Sequence, residues 1–262
     1  MSPACRWVKR GRLFVGAAEA LIGLPGVGHA FTTRLGGVSP RPYATLNLQL
    51  KPGEDTSNRV AMNRQLLAAA LGYEADRLVT ADQVHGDTVT VVDVPGVVAP
   101  ACDALITTQK NLPILIQVAD CLPVVMADPA GRGVAVVHCG WRGVAAGIAV
   151  KAAQQLAELT QSRVEDLAVG VGPGIGPCCF AVHEDVTAPL AKAVPTGPAP
   201  VERNGRLFVD LAGTLSAQLT AAGLTRQSVA HYCNACHGEM FFSYRRDAGK
   251  TGRQGVVAWL TD

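Results

Sequence analysis

Three apolar runs in quick succession, Leu112 to Val118, Leu122 to Ala127 and Gly133 to Val137, constrain this chain more than any other feature. Each is short and almost wholly apolar, with Gln117 the one polar side chain, and each is bounded by polar or turn-forming residues, so each is predicted to be a buried strand. The breaks are Asp120-Cys121 and Asp128-Pro129-Ala130-Gly131, and the third run ends on His138. Side chains capable of chemistry therefore fall at strand ends, where a rigid scaffold meets loops.

The rest of the chain mixes helices and strands. Asp55-Thr56-Ser57-Asn58 supplies helix-start residues for Arg59 to Leu71, and Gly72 supplies the stop. Further helices are predicted over Val144 to Leu159, His183 to Ala193 and Leu211 to Ala222, the last closed by Gly223. Leu78 to Val84 and Thr88 to Val92 read as two strands joined by a tight turn at His85-Gly86-Asp87. Leu167 to Val171, Leu207 to Val209, Val229 to Cys233, Met240 to Arg245 and Gly255 to Leu260 read as further strands, and Trp141-Arg142-Gly143 as a strand-to-helix connection whose amides suit an anion. This mixed order predicts a layered α/β or α+β architecture. Gly172-Pro173-Gly174 has prolines where a dinucleotide loop would open its helix, so it is no Rossmann fingerprint.

With 48% hydrophobic residues over 262 positions, the chain can bury a substantial core without disulfides. The Pro-rich stretch from Val194 to Pro200 is too short to separate two cores, which leaves one domain over residues 1–262 as the expectation. A formal charge of +2 with scattered Lys and Arg argues against a nucleic-acid footprint. No apolar span is long enough to cross a bilayer, and Met1 to Trp7 does not open a secretory signal, so no membrane partner and a cytoplasmic location are expected. The eight cysteines then read mostly as free thiols, and the neighbours Cys178 and Cys179 as buried packing. Oligomeric state is left open.

Two imidazoles and a thiolate stand out: His85 in Asp82-Gln83-Val84-His85-Gly86, Cys121 in Ala119-Asp120-Cys121-Leu122-Pro123, and His138 in Val137-His138-Cys139-Gly140-Trp141-Arg142-Gly143. Together they form a borderline-soft donor set suited to zinc, or to copper where geometry permits. Their spacing is not that of a zinc finger, and unrelated strand-end residues would read the same way. Three ligands would leave a coordination position open, which points to catalysis more than to structural zinc.

These strings, with Phe31-Thr32-Thr33-Arg34, Gly36-Gly37-Val38-Ser39, Asp103-Ala104-Leu105-Ile106-Thr107, Gly172-Pro173-Gly174-Ile175-Gly176, Phe241-Phe242-Ser243-Tyr244-Arg245-Arg246-Asp247 and Thr251-Gly252-Arg253, resemble in content and order the YfiH-type laccase-domain family. That family is also described as purine nucleoside phosphorylase proteins. The resemblance implies an α/β/β/α sandwich with mixed sheets and a zinc ion on His85, Cys121 and His138. It further implies phosphorolysis of adenosine, inosine and S-methyl-5'-thioadenosine to base and ribose 1-phosphate, with deamination of adenosine to inosine. A bound metal would make hydroxide available near neutral pH for the deamination.

Asp120, Cys121 and His138 are the catalytic candidates, Asp120 because a carboxyl beside the metal can orient water or pass a proton. Asp103 and His183 read as turn or helix caps. Among Arg34, Arg142, Arg245 and Arg246, the favoured phosphate holders are Arg34 and Arg245, since a guanidinium fork fits an oxyanion. Phe241 and Phe242 read as core, one to each face of a strand, and with Trp141 stay outside the site. Cys233-Asn234-Ala235-Cys236-His237 spells a haem-attachment pattern, but without an export signal it reads as structural thiols, with a second metal site or a redox pair as the alternatives.

Three rival readings remain. Copper-dependent polyphenol oxidation needs several His-rich sites, whereas the six histidines (29, 85, 138, 183, 231 and 237) include no His-x-His pair. Amide hydrolysis in peptidoglycan-precursor editing would use Cys121 as nucleophile and His138 as base. A non-catalytic adaptor would use the metal only to order loops.

Overall fold

Alternation along the central strands sorts side chains into two opposed apolar layers. A computed structural model describes residues 4–50 and 55–262, so Met1 to Pro3 of the N-terminal reading lie outside the described residues. In chain order the strands are β1 (Cys5–Arg10), β2 (Leu13–Ala18), β3 (Val27–Thr32), β4 (Val79–Ala81), β5 (Val89–Val91), β6 (Val98–Ala99), β7 (Ala104–Thr107) and β8 (Ile114–Val118). They continue with β9 (Leu122–Ala127), β10 (Val134–Cys139), β11 (Ala168–Val171), β12 (Ala181–Val182), β13 (Val201–Arg203), β14 (Arg206–Phe208), β15 (Gln227–Val229) and β16 (Gln254–Leu260). The α-helices are α1 (Ser57–Leu71), α2 (Trp141–Ala145), α3 (Ile148–Thr160), α4 (Glu184–Ala193) and α5 (Leu211–Ala221).

A seven-stranded sheet runs β1-β2-β3-β16-β8-β4-β6, and a six-stranded sheet runs β15-β11-β9-β10-β7-β5. Both are mixed: β4 pairs in parallel with β8, and β5 with β7, while the inner strands β3, β16 and β8, and likewise β11, β9, β10 and β7, are antiparallel. Ile114, Ile116, Val256 and Ala258 of the first sheet share one buried cluster with Leu105, Val125, Val134 and Val136 of the second. Their sequence neighbours point the other way. Leu115, Val257 and Trp259 pack under α1 through Leu67, and Val124, Ala135 and Val137 pack against Ile148, Ala152 and Leu156 of α3 and Leu215 and Leu219 of α5. Period-two alternation thus gives each sheet one face toward its partner and one toward helices, an α/β/β/α sandwich. A three-stranded ribbon, β12-β14-β13, flanks it.

The helix-start and helix-stop signals around α1 act as expected: the Thr56 side chain accepts from the Arg59 amide, and Gly72 takes the left-handed conformation at φ 85°. Five expectations need correction. The segments around Val79 and Val91 do not form a hairpin, because β4 and β5 belong to different sheets and the turn at His85 carries the chain between them. The helix expected over Val144 to Leu159 begins earlier, at Trp141, and is broken at Gly147, whose φ of 76° ends α2 and starts α3. Trp141-Arg142-Gly143 is consequently the first turn of a short helix rather than a loop. Met240 to Arg245 forms no strand: Phe241 to Ser243 are irregular between two turns, with Phe241 and Phe242 both fully buried, and the strand expected over Val229 to Cys233 ends at Val229. No helix among the described residues is long and apolar enough to cross a membrane.

Candidate functional site

The site lies where the chain changes sheets. His85 sits in the link from β4 to β5, and Cys121 in the three-residue step from β8 to β9; both links cross between the sheets. His138 is the penultimate residue of β10, and its alternation with Val137 and Cys139, which face the helices, turns it toward the other sheet. His85 and Asp120 adopt left-handed conformations, φ 59° and 88°, an uncommon backbone state for residues with a Cβ that sharpens both crossings.

Ligating atoms of His85, Cys121 and His138 lie within 4.8 Å of one another, and the two imidazole rings meet edge-on with centroids 4.7 Å apart. Asp103, fully buried just before β7, fixes this arrangement from behind. Its Oδ1 lies 2.7 Å from His138 Nδ1 and accepts from the His85 amide at 3.0 Å, while Oδ2 accepts from the Gly86 amide at 2.7 Å. One carboxylate therefore orients the second imidazole and clamps the loop carrying the first. Burial raises the Asp103 carboxyl, but these hydrogen bonds outweigh it and hold the group below the usual carboxylate range.

The remaining electrostatics follow from the same packing. Burial pushes the Cys121 thiol up, yet the facing His138 charge and hydrogen bonds from both imidazoles bring it down to about 6. Burial lowers His138, and the Cys121 thiolate and Asp103 outweigh that effect to raise it to about 9. A thiolate is the form that ligates a metal or attacks a carbonyl. Gly140 completes the cradle: a Cβ there would lie 3.2 Å from Cys121 Sγ and 3.5 Å from His85 Cδ2. The N, S, N donor set, its proximity, and an Asp103 that directs His138 through Nδ1 and leaves Nε2 to face the others fit a zinc ion.

These residues open onto a cavity of about 430 Å³, lined also by Gln49, Gln83, Gln117, Asp120, Ile175, Phe180, Tyr244, Arg245 and Arg253. Such a volume is within the range of small-molecule sites, roughly 300–1,000 Å³. Asp120 is buried in its wall; Oδ2 accepts from the Arg245 amide at 2.7 Å, and Oδ1 has no protein partner. Burial raises its carboxyl above the ordinary range despite the neighbouring Arg245 amide and Ser243. Gln49 Oε1 is likewise buried without a partner. Two acceptors left unpaired at one cavity suit a ligand rich in N–H and O–H groups.

The expected site residues divide. Asp120, Cys121, His138, His85 and Arg245 line the same cavity. Arg34 does not: it lines a neighbouring groove with Arg41 and Lys250, where it donates to the carbonyls of Ala44 and Gly238 and lies over the Phe242 ring. Arg142 stacks on Trp141, and Arg246 pairs with Asp247. His183 is the N-terminal boundary residue of α4, as read from the sequence. Arg253 and Gln49 enter the site without having been singled out for it; the Thr251-Gly252-Arg253 string was the available signal for Arg253. Asp103 caps its neighbouring turn, as the sequence suggests, and the same carboxylate also holds His138.

The family model described as "Multi-copper polyphenol oxidoreductase laccase" matches residues 28–261. A protein of Deinococcus radiodurans named "Purine nucleoside phosphorylase" is 42% identical over 234 residues, covering 89% of each chain. The crystal structure of YlmD from Geobacillus stearothermophilus superposes with a TM-score of 0.89 at 30% identity, covering 99% of this chain and 100% of that one. The crystal structure of the Bacillus licheniformis hypothetical protein YfiH gives a TM-score of 0.87 at 29% identity, covering 97% and 99%. With the motifs in order, the sandwich in common and the match running almost end to end, the chain belongs to the YfiH-type laccase-domain family.

Proposed function

We propose that this protein is a single-domain, zinc-dependent purine nucleoside enzyme. Its substrates are adenosine, inosine and S-methyl-5'-thioadenosine for phosphorolysis, and adenosine for deamination to inosine. The observation that carries the reading is the convergence of His85, Cys121 and His138 on one cavity of nucleoside size, and the name of the Deinococcus relative supports the substrate class.

His85, Cys121 and His138 would hold the zinc, which when bound supplies Lewis acidity and an activated water near neutral pH. The cavity's own residues account for phosphorolysis. A phosphate oxygen attacks C1′ of the ribose, the C1′–N9 bond breaks with its electron pair going to the purine, and the purine takes up a proton. Arg245 spends Nη1 on the Ala181 carbonyl, and Arg253 spends Nη1 on those of Thr251 and Gly252. The remaining guanidinium N–H groups are available to hold phosphate. Asp120, with its carboxyl raised by burial, is suited to carry the proton that the departing base accepts. Gln49 Oε1 would accept from the base or sugar, and Ile175 and Phe180 give the cavity an apolar side.

The test is purified, zinc-loaded protein with adenosine, with and without phosphate. Phosphate-dependent adenine release and phosphate-independent inosine formation are expected; neither product from the loaded protein would defeat the reading. Cys-His hydrolysis is the second reading, favoured by one observation: Asp103, His138 and Cys121 stand in the order of a nucleophile triad, with a depressed thiol. Turnover of a muropeptide precursor by metal-free protein would select it. Copper chemistry has less support, since among the described residues the only other ligand cluster is made of cysteines.

A further inference from the structure

The vicinal pair Cys178-Cys179 is not buried packing. Cys178 is exposed and Cys179 half-buried, and both stand beside Cys233 and Cys236, with the four sulfur atoms all within 4.8 Å of one another. Cys236 Sγ is 3.5 Å from each of the neighbouring pair. Tetrahedral coordination with Zn–S bonds of about 2.3 Å places sulfurs roughly 3.8 Å apart, so the cluster already has the size of a tetrathiolate zinc site.

The backbone is arranged to bring these thiols together. A turn at Gly176 to Phe180, closed by the amides of Cys179 and Phe180 on the Gly176 carbonyl, lets two consecutive side chains reach the same point. Cys233 pairs through a lone parallel bridge with Gly174, and the Asn234 amide donates to the Gly174 carbonyl at 2.9 Å. Gly176 is the close approach between the two segments: a Cβ there would lie 3.1 Å from Cys233 Cβ and 3.4 Å from Cys178 Sγ. Cys233-x-x-Cys236 has the two-residue spacing of a zinc knuckle, and the amides of Gly176, Ala235 and Cys236 point hydrogen bonds at Cys233. Neutral thiols gain little from such crowding, whereas thiolates repel unless a cation lies between them.

The geometry points to a second metal site, in which Cys178, Cys179, Cys233 and Cys236 bind one zinc ion with all four positions filled by protein. Four thiolates and no carboxylate or imidazole select a soft tetrahedral ion, and a filled coordination sphere makes the site structural. Binding releases the thiol protons to solvent. The ion would tie the segment 174–180, whose Ile175 and Phe180 line the nucleoside-sized cavity, to the loop that follows β15. It would therefore hold one cavity wall in place without touching a ligand.

The experiment is metal analysis of protein purified under reducing conditions from zinc-supplemented growth, combined with alkylation mapped by mass spectrometry. The variant H85A/C121A is expected to keep about one zinc per chain and C233S/C236S to lose that zinc, which separates this site from the His85 site whatever the fate of the proposed activity. In the unsubstituted protein, exposed Cys178 and Cys236 are expected to resist alkylation until a chelator is added. A metal-free H85A/C121A protein, immediate labelling of Cys178 and Cys236, iron or copper in zinc's place, or a mass showing a disulfide among the four would each overturn the assignment.

Discussion

Asp103 Oδ1 lies 2.7 Å from His138 Nδ1, and the same carboxylate accepts from the amides of His85 and Gly86, so one side chain orients one imidazole of the site and clamps the loop that carries the other. Replacing it tests whether orientation matters beyond packing. D103N keeps the shape but meets the Gly86 amide with a second donor. Zinc affinity of the His85 site is expected to fall about 10- to 100-fold, measured by competition with a chromophoric chelator in the C233S/C236S background. Unchanged affinity would remove Asp103 from the account.

Gly140 is a steric prediction. Its backbone, φ −73° and ψ 167°, suits any residue, so G140A should fold. The added Cβ would meet Cys121 Sγ at 3.2 Å, however, and push on the metal cradle. Weaker zinc binding at a nearly unchanged Tm is the expected result, read by chelator competition and thermal unfolding. Full affinity would show that the cradle has slack.

Substitution of Arg245 tests the proposed phosphate contact. R245Q removes the charge from the cavity wall and, being shorter, also gives up the guanidinium contact with the Ala181 carbonyl. Loss of one charge-assisted contact, about 1.5–3 kcal/mol, corresponds to a rise of roughly 10- to 100-fold in KM for phosphate. Inosine formation from adenosine is expected to change little. Equal loss of both activities would place Arg245 in general cavity structure instead.

His29 supplies a pH prediction remote from the site. Burial pushes its imidazole from 6.5 down to about 4, and the Ala18 amide donates to Nε2, which requires the neutral ring. Between these values the unfolded chain binds the proton and the folded one does not, so stability rises with pH across that window and is lost as pH falls through it. The effect is up to about 3 kcal/mol, less whatever solvent screening the half-buried ring retains. Urea unfolding of H29Q, whose side-chain carbonyl lies near the place of Nε2 and can accept from Ala18, should show a flatter pH dependence between pH 4 and 6.5 than the parent.

Much of this was legible in the sequence because burial writes itself into strong patterns. The runs that became β8, β9 and β10 are fully buried on both faces, and Thr56 and Gly72 mark α1 by local chemistry. The peripheral strands were not. In β1 only Cys5 is buried, so no period stands out, and β13 is exposed throughout. Sheet membership was also hidden: Leu78 to Val92 looks like a hairpin because a tight turn within one sheet and a crossing between two sheets use the same polar residues. For the site, residue chemistry named His85, Cys121 and His138, but whether Arg34 or Arg253 reaches the cavity depends on how the loops before and after Phe242 pack, which no local pattern carries. The four-cysteine cluster was half legible for the same reason: Cys233 to His237 offers a second metal site as an alternative, but its partners Cys178 and Cys179 lie 55 positions away, from 178 to 233, and read as packing.

In the proposed enzyme an ion bound by His85, Cys121 and His138 keeps a coordination position open to the cavity. The most direct measurement is an anomalous-scattering map at the zinc edge from crystals grown with zinc and soaked with a nucleoside. A peak within bonding distance of those three side chains and of no fourth protein donor, with the nucleoside alongside, is the expected result. No peak there, or a fourth protein ligand closing the ion off, would contradict it.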